Sequence, residues 1–175
     1  MGHTNRHYHV FFGLLSQNTV LYTEMIPAAQ IVRLAQEDPL ALDELLRRSR
    51  PADNTTNNNP IILQLGGRDP QVLARAADLG ARLFGYDGIN LNCGCPSNAV
   101  TAGSGAGGAA LMQDTAHVAR IVESMSEALQ NYPEVELSVK HRLGVAQAAD
   151  YNAAHDHQCD DSQALPTCFD FVERI

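Results

Sequence analysis

Charge is scarce in this sequence, and basic charge scarcest: Asp, Glu, Lys and Arg make up 18% of the 175 residues, with 12 Lys plus Arg against 20 Asp plus Glu, a net of −8. The shortage of Lys and Arg argues against a protein that coats nucleic acid, DNA included, through non-specific charge, because phosphate binding rests on clustered cations. It leaves room for a local basic site. Low charge density beside 45% hydrophobic residues is also the wrong balance for a disordered tail. The four cysteines, Cys93, Cys95, Cys159 and Cys168, are too few and too unevenly spaced for the disulfide framework of a small secreted domain. A reducing compartment, the cytoplasm, is the expectation. No apolar run approaches the roughly 18 residues of a membrane span, and no charged segment followed by an apolar stretch opens the chain. What remains is the length of about one globular domain with apolar material for a core.

Periodicity organises that material. Tyr8, Phe11, Phe12 and Leu15 recur at helical spacing, which predicts a first helix with Thr4 as its N-cap. Val20 to Met25 is a short β-rich run, and Pro39 to Arg48 reads as a helix with Leu42, Leu45 and Leu46 on one side. The stretch 51–60, "PADNTTNNNP", is polar and of low complexity, a surface loop insertion that cannot bury anything. Ile61 to Leu65 is an apolar strand, and Asp69 followed by Pro70 supplies the N-cap and first position of a helix that runs to about Phe84. Gly88 to Cys95 is a strand passing into a loop, Asp114 opens an amphipathic helix through about Gln130, and Glu136 to His141 is a further strand. Strand and helix alternating at this pitch predict parallel strands with crossover helices, the α/β class. The stretch 145–165 is an irregular insertion, and Cys168 to Ile175 opens a further helix. Four strands fall short of a closed (β/α)8 barrel, which takes about 250 residues.

In such folds the chemistry gathers at the C-terminal ends of the strands, and here those ends carry polar groups in order. Glu24 follows the first strand, Gln64 lies in the second, Asn90 and Asn92 precede Cys95 in the third, and Lys140 and Arg142 close the fourth. Each alone has an ordinary alternative: a strand amide bonded to neighbouring backbone, or a solvated lysine. As a set they suit a pocket for a polar aromatic ligand. Gly94, Gly103, Gly105, Gly107 and Gly108 crowd the next loop, where glycine permits close backbone approach. They match neither the dinucleotide GxGxxG nor a P-loop. His155, His157 and Cys159, and separately His3, His7 and His9, cluster without a four-ligand zinc pattern, so no metal is expected.

"PIILQLGG" at 60–67, "GYDGINLNCGCPS" at 85–97, "GGAALM" at 107–112 and "SVKHRLG" at 138–144 together resemble tRNA-dihydrouridine synthases, in order and at about that family's spacings. The resemblance implies a partial (β/α)8 TIM barrel over 1–175, a flavin-binding domain lacking its first strand, its C-terminal half and the family's helical tRNA-binding domain. It implies an FMN-dependent oxidoreductase, recharged by NADPH, that reduces the C5–C6 double bond of uridine in a tRNA substrate. The family's catalytic cysteine falls on Cys95, whose thiol gives a proton to C5 as flavin N5 delivers hydride to C6. An ordinary thiol titrates near 8.5 and is mostly protonated at neutral pH, so this is acid catalysis. By the same matches Gln64 and Lys140 contact the flavin, Asn92 holds flavin or uracil beside Cys95, and Arg142 and Glu24 face the substrate. Cys93 is read as core. The chain departs from the family pattern at Ala99, where a basic residue is usual, and in the glycine-rich loop. The alternatives are a non-catalytic truncated remnant and another flavin-dependent pyrimidine oxidoreductase.

Overall fold

The computed structural model describes residues 3–48, 59–97, 107–145 and residue 172. Helix α1 (Arg6–Leu15) leads into two short strand segments, β1 (Leu21–Tyr22) and β2 (Ile26–Pro27), and then helices α2 (Ala28–Glu37) and α3 (Pro39–Arg47). Strand β3 (Ile61–Gly66), helix α4 (Pro70–Phe84) and strand β4 (Gly88–Cys93) follow. A 3-10 turn (Gly108–Gln113), helix α5 (Thr115–Ala128) and strand β5 (Glu136–His141) complete the order. The expectations for 51–58, most of the glycine-rich loop, the stretch from 146 to 171 and the closing residues other than Val172 lie outside the described residues.

The strands form one parallel sheet in the order β1-β3-β4-β5, with β2 also pairing β3. This is the α/β arrangement that the alternation of strand and helix predicts. Leu21 pairs with Ile61 and Ile26 with Leu65, so β1 and β2 lie along the same edge of β3. The continuous strand expected at Val20 to Met25 is broken after Tyr22, because the Thr23 hydroxyl takes a ladder position: its Oγ1 accepts the Gln64 N–H at 3.0 Å.

Helix starts follow local chemistry. The Asp69 carboxylate accepts the Val72 N–H at 2.9 Å with Pro70 in the first turn, and Asp38 and Asp114 cap α3 and α5 in the same way. For α1 the cap is Asn5, not Thr4: Asn5 Oδ1 accepts from the N–H groups of His7 and Tyr8. Helix α2 carries no sequence signal at its start, because its N-cap residue, Pro27, makes no side-chain capping bond.

Alternate strand positions build the core. Leu63, Leu65, Ile89, Leu91 and Cys93 pack with Leu73, Ala76, Ala77, Val118, Ile121 and Met125 from α4 and α5 in a single apolar cluster. The intervening positions, among them Gln64, Asn90, Asn92, Ser138 and Lys140, fall on the opposite face of the sheet by the period of two. Of the stripe read on α1, Phe12 packs against the core, but Phe11 and Leu15 stay 57% and 66% exposed, while His9 and Gly13 are the buried residues. The reason is polar, since His9 Nε2 bonds the Tyr22 carbonyl on the sheet edge at 3.1 Å and fixes which side of α1 faces inward.

The strand starts are locked in register by Asp87, whose Oδ2 accepts the Ile61 N–H at 2.8 Å, and by a crowded glycine beside it. A Cβ on Gly88 would stand 2.7 Å from Ile62 Cδ1 and 2.9 Å from the Glu136 carbonyl oxygen. Gly88→Ala should therefore destabilise the protein by about 1–3 kcal/mol, since backbone must move to admit one methyl. A urea midpoint equal to that of the unsubstituted protein would contradict this packing.

Candidate active site

The face of the sheet turned away from the α4 and α5 core carries a row of side-chain amides. Gln64, Asn90 and Ser138 stand in one register across β3, β4 and β5, and Asn92 pairs with Lys140 one step on toward the strand ends. Gln64 Nε2 donates to Asn90 Oδ1 at 2.9 Å, Asn90 Nδ2 donates to Ser138 Oγ at 3.0 Å, and Asn92 Nδ2 donates to Gln64 Oε1 at 2.9 Å. Gln64, Asn90 and Asn92 are all buried. Three buried carboxamides are affordable only because they satisfy one another, as an unmade hydrogen bond here would cost about 1–3 kcal/mol.

Asn92 also turns the chain. Its Oδ1 accepts the Gly94 N–H at 3.1 Å and the Cys95 N–H at 2.9 Å, so the backbone leaves β4 wrapped around one carboxamide oxygen. The Cys95 carbonyl then accepts the Ala109 N–H at 2.9 Å, which ties the turn to the start of the 3-10 segment. Arg142 closes the far side: its Nε donates to the Gly94 carbonyl, and its backbone N–H meets Met112 Sδ at 3.4 Å. Cys95 is thereby held from both its own amide groups and stays half-buried at the end of β4.

The two neighbouring thiols live in different surroundings. Cys93 points into the helix-packed core, and burial pushes its pKa up from 9.0 to about 12. Cys93 is structural by position, as its apolar neighbours predict.

The structure links Gln64, Asn92 and Cys95 through direct bonds, joins Arg142 to them through the Gly94 carbonyl, and places Lys140, exposed and making no ion pair among the described residues, in register with Asn92. Glu24 stands apart. Its Oε1 accepts the backbone N–H groups of His3 and Thr4 at the entry to α1, and it borders a cavity of about 960 Å³ between α1 and α3 that Arg6, Asp43, Arg47 and Arg48 also line. Sequence reasoning missed Ser138 and Met112 as parts of this group. Ser138 had a signal, since it lies two residues before Lys140 in a strand and must share its face. Met112 had none, because only the tertiary fold brings it to Arg142.

Among the described residues no group of three or more His, Cys, Asp or Glu side chains could hold a metal ion, and His155, His157 and Cys159 lie outside them. No helix among them is long and apolar enough to cross a membrane.

A parallel sheet with flanking helices, carrying a polar row and a thiol at its strand ends, places the chain among α/β proteins, and comparison with known sequences narrows the class. The family model for dihydrouridine synthase (Dus) matches residues 1–160. The chain is 41% identical over 145 residues to the tRNA-dihydrouridine(20/20a) synthase of Synechocystis, covering 83% of this chain and 38% of that protein. It is 40% identical over 151 residues to the enzyme of that name from Xanthomonas campestris, covering 86% and 39%. For the Escherichia coli K12 enzyme of that name the identity is 38% over 157 residues, covering 90% and 39%. The chain belongs to the dihydrouridine synthase family, and it spans about two fifths of the length of these relatives.

A pH prediction follows from the core thiol. Because the folded pKa of Cys93 is raised, the folded state keeps a proton that the unfolded chain releases, so stability is full below pH 9 and falls as pH rises toward 12. Each pH unit in that window should cost up to about 1.4 kcal/mol. Thermal midpoints measured from pH 8 to 11 should fall less steeply in Cys93→Ala than in the unsubstituted protein; parallel slopes would contradict the burial of this thiol.

Proposed function

We propose that the protein is an FMN-dependent tRNA-dihydrouridine synthase, reducing the C5–C6 double bond of uridine in tRNA with NADPH as the source of reducing equivalents and acting in the cytoplasm. The observation that carries this reading is the position of Cys95, fixed by the Asn92 carboxamide at the end of the polar row and beside the Lys140 position. Family membership supports it, and the relatives' names describe the same modification.

The donor set fits a flavin. Gln64 has one N–H and one carbonyl lone pair left after its bonds to Asn90 and Asn92. It can therefore bind a ring edge that presents an acceptor beside a donor, as the pyrimidine edge of isoalloxazine does. Lys140 supplies an ammonium group, suited to the N1 and O2 side of that ring, where negative charge gathers on reduction. Bound FMN would supply the hydride for uracil C6.

The rest belongs to the protein. As C6 gains hydride, C5 becomes carbanion-like, and the Cys95 Sγ–H gives it a proton. Asn92 orients this acid by holding the two backbone N–H groups that precede its side chain. Arg142 spends one N–H on the Gly94 carbonyl, which leaves the rest of its fork for the RNA backbone near the reacting base.

In the full-length protein, Cys95→Ala should lower uridine reduction by about 10²-fold or more, the usual worth of a positioned general acid, while oxidation of NADPH through the flavin continues. Both half-reactions are read by stopped-flow flavin absorbance, with tRNA dihydrouridine measured by mass spectrometry. Equal loss of the two would contradict the assignment of Cys95 as the acid.

A further inference from the structure

The amide row has a compulsory direction. The N–H groups of Gly94 and Cys95 can only donate, so the Asn92 atom that meets both is its oxygen. Its nitrogen is then the end that reaches Gln64, and the Gln64 atom it meets must be Oε1. That leaves Gln64 Nε2 to donate to Asn90 Oδ1, and Asn90 Nδ2 to donate to Ser138 Oγ. None of the three carboxamides can flip without setting donor against donor at a buried site.

The consequence falls on Ser138. Its oxygen is committed as an acceptor, and no acceptor among the described residues takes its own proton. The hydroxyl is half-buried, lies on the face turned away from the α4 and α5 core and sits two residues before Lys140 on the same strand. A ligand on that face meets an O–H with a proton to give, beside an ammonium group.

We propose that Ser138 is a further cofactor-binding residue, its hydroxyl donating to a carbonyl oxygen of the flavin ring, with its rotor set by the one-way amide chain that starts at the Cys95 turn. The proposal rests on the flavin reading above. It gives Asn90 a positioning role, because Asn90 Nδ2 is the group that makes Ser138 a donor toward the ligand.

The test is FMN affinity, titrated by flavin fluorescence on the purified full-length apoprotein. Ser138→Ala should weaken binding about three- to tenfold, the range of a neutral hydrogen bond, and Ser138→Thr should stay within about twofold of the unsubstituted protein. Ser138→Cys keeps the volume but donates poorly, so it should weaken binding like Ala; it serves as the test if Ala does not fold. Unchanged affinity in Ser138→Ala or Ser138→Cys, or a Thr variant as weak as Ala, would overturn the proposal. An unsubstituted protein that takes up no FMN would instead contradict the flavin reading itself.

Discussion

The Asn92 carboxamide is the contact on which the candidate site depends. Its oxygen gathers the N–H groups of Gly94 and Cys95 and so ends strand β4 in a tight turn; its nitrogen joins Gln64 on the neighbouring strand. One side chain therefore sets where the chain leaves the sheet and which way the row of buried amides points. Replacing it with an apolar residue would free two backbone donors and strand the Gln64 oxygen, each a desolvated group without a partner. Arg142 on the Gly94 carbonyl and Ala109 on the Cys95 carbonyl then hold a turn whose shape Asn92 has already fixed.

The period of two in the strands makes this possible. On one face, Leu63, Leu65, Ile89, Leu91 and Cys93 are sealed under α4 and α5, a dry layer that holds the strands in register. On the other face, the same strands carry amides, a hydroxyl and a lysine. The two cysteines show the division. Cys93 belongs to the dry layer and its thiol is held protonated by burial, while Cys95, just past the Asn92 turn, is half-buried beside the polar row.

Much of this was legible in the sequence, for local reasons. Asp69-Pro70 and Asp114 announce helix starts because the cap and the helix lie within four residues of each other, and Glu136–His141 reads as a strand from its own composition. The polar strand ends were legible as a set because strand alternation assigns a face without any tertiary knowledge. What escaped depends on contacts between distant segments. The buried side of α1 is chosen by His9 meeting the Tyr22 carbonyl, which helical spacing cannot foresee. Thr23 breaks the first strand because Gln64, 41 residues away, donates to its hydroxyl. Ser138 and Met112 join the site through Asn90 and Arg142, and Glu24 is drawn to the start of α1 by backbone donors that carry no sequence signal. The family motif located Cys95, but the reason an asparagine stands three residues before it emerges only from the hydrogen bonds.

The most direct test of this account is amide hydrogen exchange at Gly94 and Cys95, followed by NMR in the full-length protein and in Asn92→Ala. With Asn92 in place both amides should exchange slowly, and the substitution should release them while the amides of Leu63, Leu65, Ile89 and Leu91 remain protected. Exchange at Gly94 and Cys95 that is already fast with Asn92 present, or that is untouched by its removal, would show that the carboxamide does not hold the Cys95 turn.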